Sequence, residues 1–286
     1  MENIYLNELS VDGQFQDIEE FSDAILPVMK CLKYIKNQGG VVYKYSEFYN
    51  RKITKDKTWN DLRTIRGDHF TRLKSLLLGT TDTPPFWDRQ DKWKQDIDAK
   101  YQLDDMDVAM TSIAEAAEAN GVLLSFPMEK YQNKILHVTK NEAMDLQIPS
   151  AVSFDFFVES LREKKQIDIH EYVHKKYEGT RLNFSKIEKQ YGFYGFEKEE
   201  VEDCLRTFDK FVKIENWNAV YRDKSLHYKK YSPSSKEDDW FSDDLYKENI
   251  IDKFRCGNKK RCFGYREDNI FYVLRMERDH KISDKG

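Results

Sequence analysis

With 286 residues, 40% of them hydrophobic and 14% aromatic, the chain can bury a full core and form two domains. Its 17 Tyr and 18 Phe exclude a disordered protein despite a 34% charged fraction, and the net charge is −4. No stretch of eighteen apolar residues is available to cross a bilayer, so no membrane partner is expected.

The start, MENIYLNELS, lacks the basic and apolar regions of a signal peptide. Beyond it, Ile18, Phe21, Ile25, Val28, Leu32 and Ile35 recur at three- and four-residue steps, which predicts a helix. Pro27 should bend or divide that helix, and Gly39-Gly40 should end it. VVYKYSEFY (41–49) reads as a strand. Asp68 is placed to cap a helix running to Leu78 and closed by Gly79. Pro84-Pro85-Phe86-Trp87 makes a stiff aromatic loop, and the Phe86–Trp93 segment is either core or a protein-binding surface. A helix is expected over 106–120, with Asp104, Asp105 and Asp107 at its start as caps rather than magnesium ligands. Its alanine run, which includes Ala114, Ala116 and Ala117, signals close packing. Strands at 122–126 and 134–138 and a helix over Ser153–Lys164 complete a mixed α/β domain spanning 1–180.

A boundary is expected near Gly179–Gly195. After it, Phe196–Lys213 is an amphipathic helix with Val201, Leu205, Phe208 and Val212 inward, and Trp217 anchors a shorter one. Leu226–Tyr231 alternates like a strand, and 232–244 is an acidic loop. Three strands follow at about 253–256, 260–266 and 270–278, with tight turns at Gly257-Asn258 and Glu267–Asn269. The expected class is α+β. Residues 196–286 would form helices packed on a four-stranded antiparallel sheet.

From Lys253 onward there are ten Lys/Arg against five Asp/Glu, about +5 at the end of an acidic chain. A positive surface on a negative protein points to an anionic partner, RNA or an acidic protein. In the last strand, period-2 alternation turns Ile270, Tyr272, Leu274 and Met276 one way and Phe271, Val273 and Arg275 the other. Arg255, Arg261, Arg266, Arg275, Arg278, His280 and Lys281 are then candidates for one concave, positive surface. The acidic residues Glu237, Asp238, Asp239, Asp243 and Asp244 are near enough in sequence to fold over it.

Phe254-Arg255-Cys256-Gly257, Arg261, and the strand Ile270–Leu274 followed by Arg275 resemble the C-terminal meander of RelE/HigB-type bacterial toxins. The resemblance covers 196–286 and implies a RelE-like domain there; the acidic insert and the first two-thirds of the chain depart from those compact toxins. It implies metal-independent RNA cleavage without a cofactor, in which the ribose 2′-OH attacks the adjacent phosphate. That chemistry needs a base, an acid and cations around the phosphorane. Arg261 matches the family's arginine after the first hairpin turn, and Arg275 or Arg278 its arginine on the final strand. His280 would be the titratable group. Lys229 and Lys230 would add phosphate contacts, and Tyr265 and Tyr272 would offer stacking faces. The implied setting is the cytoplasm of a bacterium. There, a toxin-like endoribonuclease would act on RNA or the ribosome within a toxin–antitoxin or phage-defence assembly, beside an antitoxin or another defence protein. A non-catalytic subunit that binds RNA or an acidic protein would carry the same charges.

A competing motif is His170-Glu171-Tyr172-Val173-His174. On a helix both imidazoles share one face and can bind Zn²⁺ while Glu171 activates water, as in a zinc peptidase. Asp168 and Lys175-Lys176 make it equally an ordinary surface helix, and Glu188 or Glu199 would have to supply the third ligand. Cys31, Cys204, Cys256 and Cys262 are too few for a disulfide framework and fit a reducing cytoplasm. Cys256 and Cys262 flank one turn, either as structural thiols or as half of a zinc site with His280.

Overall fold

The computed structural model describes residues 1–66, 68–242 and 244–283, apart from the side chains of Asp68, His69, Arg72 and Asp244. The chain is α+β and divides into two compact units, Met1–Ile167 and Asp168–Gly286. The division lies upstream of the boundary expected near Gly179–Gly195, so 168–195 stands with the second unit.

The first unit is built on a seven-stranded mixed sheet. In chain order its elements are β1 (Ile4–Leu6), α1 (Ile18–Ala24), α2 (Leu26–Asn37), β2 (Val42–Tyr43), α3 (Asp68–Thr81), β3 (Tyr101–Leu103) and β4 (Met106–Asp107). Then come α4 (Ser112–Glu118), β5 (Val122–Leu124), β6 (Lys134–Lys140), β7 (Met144–Ala151) and α5 (Phe154–Glu163). The sheet order is β2-β1-β5-β7-β6-β3-β4, parallel from β2 to β7 and antiparallel beyond. β1 and β5 are covered on both faces, so all their residues are buried and apolar alternation is absent. β6 and β7 turn through the three residues Asn141, Glu142 and Ala143, of which Asn141 and Glu142 are left-handed at φ 51 and 58.

Several expectations are met and several are corrected. Pro27 begins α2 and separates it from α1, because its ring is tolerated only in a first turn. Strand 41–49 shrinks to β2, followed by a 3₁₀ turn at Phe48–Asn50. α3 continues through Gly79 to Thr81, and the expected Asp68 cap lies outside the described residues. The helix expected from residue 106 begins only at Ser112, capped by the Thr111 hydroxyl, and Asp107 lies in β4. Trp87 is core, 1% exposed, with its indole N–H donating to Ser112 Oγ at 2.8 Å. Glu115 accepts from the Lys94 and Gln95 backbone N–H groups, and Glu118 from Lys140 Nζ; both carboxylates are structural.

The second unit comprises α6 (Ile169–Lys176), β8 (Leu182–Asn183), α7 (Lys198–Lys213), α8 (Trp217–Arg222), β9 (Lys229–Lys230), β10 (Ile251–Arg255), β11 (Arg261–Glu267) and β12 (Ile270–Glu277). Its five-stranded sheet has the order β8-β12-β11-β10-β9; β8 joins β12 in parallel and the rest is antiparallel. The sheet therefore has one strand more than expected. One face packs on α7: Phe211 stacks on Phe254 with centroids 4.8 Å apart, and Phe208 and Phe271 close around them. The inward stripe of α7 is Cys204, Leu205, Phe208 and Phe211, with Val212 half-buried. Cys204, Cys256 and Cys262 are buried free thiols, and burial pushes those of Cys256 and Cys262 well up.

A bulge between Phe263 and Gly264 sets the other face. Beyond it Phe263 pairs with Arg275 and Arg261 with Glu277, whereas before it Gly264 pairs with Val273. Arg275 is thereby carried to the face opposite Phe271 and Val273, not onto theirs. Gly264 is required here, because a Cβ would stand 2.0 Å from the Tyr272 carbonyl oxygen.

Candidate nucleic-acid interface

The sheet face away from α7 has two dissimilar ends. At one end the 232–247 segment packs onto the strands: Tyr231, Phe241, Tyr246, Ile251, Phe263, Tyr265 and Leu274 form a second core, with Trp240 against it. The segment expected to be a solvated acidic loop, or an acidic cover over arginines, is held mainly by its aromatic rings. Asp238 is tied to the Ser234 and Ser235 hydroxyls, while Asp243 and the Asp244 side chain lie outside the described residues.

Arg275 sits inside this aromatic core, 3% exposed. Its guanidinium donates to both Glu188 oxygens, at 2.7 and 3.0 Å, and to the Trp240 carbonyl. Tyr191, Phe241, Trp240 and Tyr246 surround it, the nearest centroid at 4.5 Å. A bidentate, enclosed arginine cannot also hold a phosphate. Arg275 is therefore a structural residue of this unit and not part of the expected site.

Tyr265 and Tyr272 are likewise spoken for. They stack on each other at 5.4 Å beneath Lys186, which lies 4.9 and 4.2 Å from their centroids. Arg266 covers Trp217 and donates to the Asp268 carbonyl on the opposite face. Lys230 lies across from Asp252 on that same face. Arg278 pairs with Glu200 at 2.7 Å, and Lys281 approaches Asp279 at 3.6 Å.

The other end of the face gathers the remaining cations. Arg255 and Arg261 are directly opposed across β10 and β11, and Lys229 is opposed to Lys253 across β9 and β10. Arg261 is 8% exposed and donates to the Asn258 and Lys260 carbonyls, which holds the turn before it. Its other terminal nitrogen lies 2.6 Å from His280 Nε2. Arginine only donates, so Nε2 accepts and the imidazole carries its proton on Nδ1. Two of the three expected catalytic residues are thus in contact. Lys253 is buried, with Nζ donating to the Ser283 carbonyl at 3.1 Å.

His227 belongs to this cluster and was missed in the sequence. It is exposed, with φ at +47. Desolvation, followed by the charges of Lys229, Arg255, Arg261 and Lys253, holds its imidazole below the usual 6.5. No carboxylate of the described residues pairs with His227, Lys229 or Arg255, and Arg255 Nε is a buried donor without a partner. The sequence signal was available: in LHYKKY, His227 alternates in phase with Lys229.

Beside His280, Tyr191, Tyr194, Trp240, Arg278 and Lys281 line a cleft of 270 Å³, in which Tyr194 is 87% exposed. Tyr194, rather than Tyr265 or Tyr272, is open to a planar ligand, while Tyr191 and Trp240 also pack against Arg275.

His170 and His174 do lie on one helix, α6, but their surroundings are those of a packed surface. Asp168 caps α6, His170 stacks edge-on against Phe193, and its Nε2 faces the Phe193 backbone N–H at 3.4 Å. A Cβ at Gly192 would stand 2.2 Å from that nitrogen, so the chain presses against it. Among the described residues no group of three His, Cys, Asp or Glu is placed to hold a metal ion. That covers both the α6 motif and Cys256, Cys262 and His280. No helix among the described residues is long and apolar enough to cross a membrane. No family model, curated protein or solved structure matches this chain.

Proposed function

We propose that the second unit is an RNA-directed module whose open sheet end holds the phosphate backbone of an unpaired strand. The observation that carries this reading is the buried Arg255 Nε without a hydrogen-bond partner, opposed to Arg261 and flanked by Lys229 and His227, where no carboxylate among the described residues pairs with Arg255, Lys229 or His227. Like charges facing each other across a strand pair are unfavourable. A phosphate supplies what the cluster lacks, since its oxygens match the guanidinium fork. The Tyr191–Tyr194–Trp240 cleft alongside suits a base stacked out of the strand. Single-stranded RNA should therefore be retained at low salt, with affinity falling steeply as salt rises. Salt-insensitive retention, or none, would remove the reading.

Cleavage is a second reading, favoured by two histidines beside one arginine. In it, one of His227 and His280 takes the 2′-OH proton and the other protonates the leaving 5′ oxygen, while Arg261 and Arg255 stabilise the phosphorane. This is the chemistry that the RelE/HigB resemblance implies, on a different residue set, since Arg275 is enclosed. The proposed setting is a bacterial cytoplasm, which keeps four free thiols reduced, within a toxin–antitoxin or defence assembly. Expression should arrest growth, and Arg261→Ala with His280→Ala should relieve it. Retention of RNA with no product, in the wild-type chain and the variant alike, leaves a binding module.

A further inference from the structure

The first unit contains a buried charge with no counter-ion among the described residues. Lys44 follows β2 at the carboxyl end of a strand in the parallel half of the sheet, where open α/β sheets present ligand sites. Its backbone is fixed by the Trp87 N–H, which donates to the Lys44 carbonyl at 3.1 Å. Its side chain is not on the surface: Lys44 is 2% exposed. Nζ has one long contact, 3.4 Å to the Val42 carbonyl, and lies 5.2 Å from the Phe86 ring centroid. An ammonium has three donors to satisfy, and no carboxylate of the described residues pairs with this one. Burial pushes its pKa down to about 8.

Lys44 lines a cavity of 340 Å³. The other walls are the last turns of α2 and α3 and the Pro84-Pro85 corner, with Lys36 at the side. Gly39 and Gly79 are also in its wall, and a Cβ at either would meet no atom within 4 Å. The volume is that of a small-molecule site. Helix carboxyl ends carry partial negative charge, which disfavours anions and weighs more against a doubly charged one than against a single charge. Leu32, Ile35 and the two prolines supply an apolar wall.

We propose that this cavity binds a small organic monoanion, its carboxylate paired with Lys44 and its apolar body against Leu32, Ile35, Pro84 and Pro85. The proposal is independent of RNA binding by the second unit. Its test is thermal melting of the full chain in benzoate, hexanoate, inorganic phosphate or chloride at matched ionic strength. Benzoate or hexanoate should raise the melting temperature of the transition that includes the first unit by about 2–4 °C, with phosphate and chloride giving less. Lys44→Met should melt higher than wild type without ligand, because an unpaired buried charge is gone, and should lose the carboxylate response. Gly79→Leu keeps Lys44, fills the cavity and should lose the response too. This second variant decides the matter if Lys44→Met does not fold. No carboxylate response in the wild-type chain, an equal response in either variant, or a larger response to phosphate would overturn the proposal.

Discussion

Arg275 and Arg255 belong to the same meander and the same sheet face, yet their surroundings are opposite. Arg275 has a bidentate carboxylate, a backbone acceptor and four aromatic rings. Arg255 has another arginine across from it and a buried Nε with no partner. The first arrangement completes a core; the second, in the proposed reading, is completed by a phosphate. Local basic content does not separate the two, because a cation is available to a ligand only when its own fold has not already neutralised it.

The comparison breaks first at Arg275. Arg275→Met strands Glu188 beside an aromatic core and should cost about 3–5 kcal/mol in chemical denaturation, as expected when a buried pair loses one partner. RNA retention by the folded fraction should be unchanged, and a selective loss of binding without a stability loss would reverse the assignment. Phe241→Ala should cost about 3 kcal/mol by emptying the same core, and should leave the open end intact. At that open end, Arg255→Gln with Lys229→Gln should leave stability within about 0.5 kcal/mol. Each change should lower the slope of log affinity against log salt by about 0.7 for a single strand. Unaltered slopes would show that phosphates lie elsewhere.

The smallest effect concerns pH. His227 has its folded pKa lowered, so as pH falls through 6.5 the unfolded chain takes up a proton first and this site loses stability. A bound phosphate restores the proton affinity of the ring. RNA affinity should therefore rise between about pH 7 and about pH 5.5, with protons taken up on binding. His227→Gln should flatten that rise, which titration in buffers of different ionisation enthalpy can measure.

Much of this fold was legible because periodicity survives in amphipathic elements. Helices α2, α5, α7 and α8 and the three-strand meander follow from stripes of apolar residues and from turns at Gly257-Asn258 and Asp268-Asn269. β1, β3 and β4 are too short for alternation to show, and β7 ends in a fully buried run, so none of the four was anticipated. Of the candidate site, the Arg261–His280 contact joined two residues already singled out by chemistry. The place of Arg275 was not legible, because a bulge at Gly264 shifts the register and a distant Glu188 provides its partner.

The sequence by itself determined the class of the protein, the positive character of its end and the residues that carry that charge, since composition and local periodicity are properties of neighbours along the chain. Only the tertiary structure decided which charges remain available. It enclosed Arg275 and stacked Tyr265 on Tyr272. It also brought His227 beside Arg255 and buried Lys44 at a cavity with no acid among the described residues that line it. The partners of Arg275 and His227, Glu188 and Arg255, stand 87 and 28 residues away along the chain. Charge compensation and burial are long-range properties that no local pattern records.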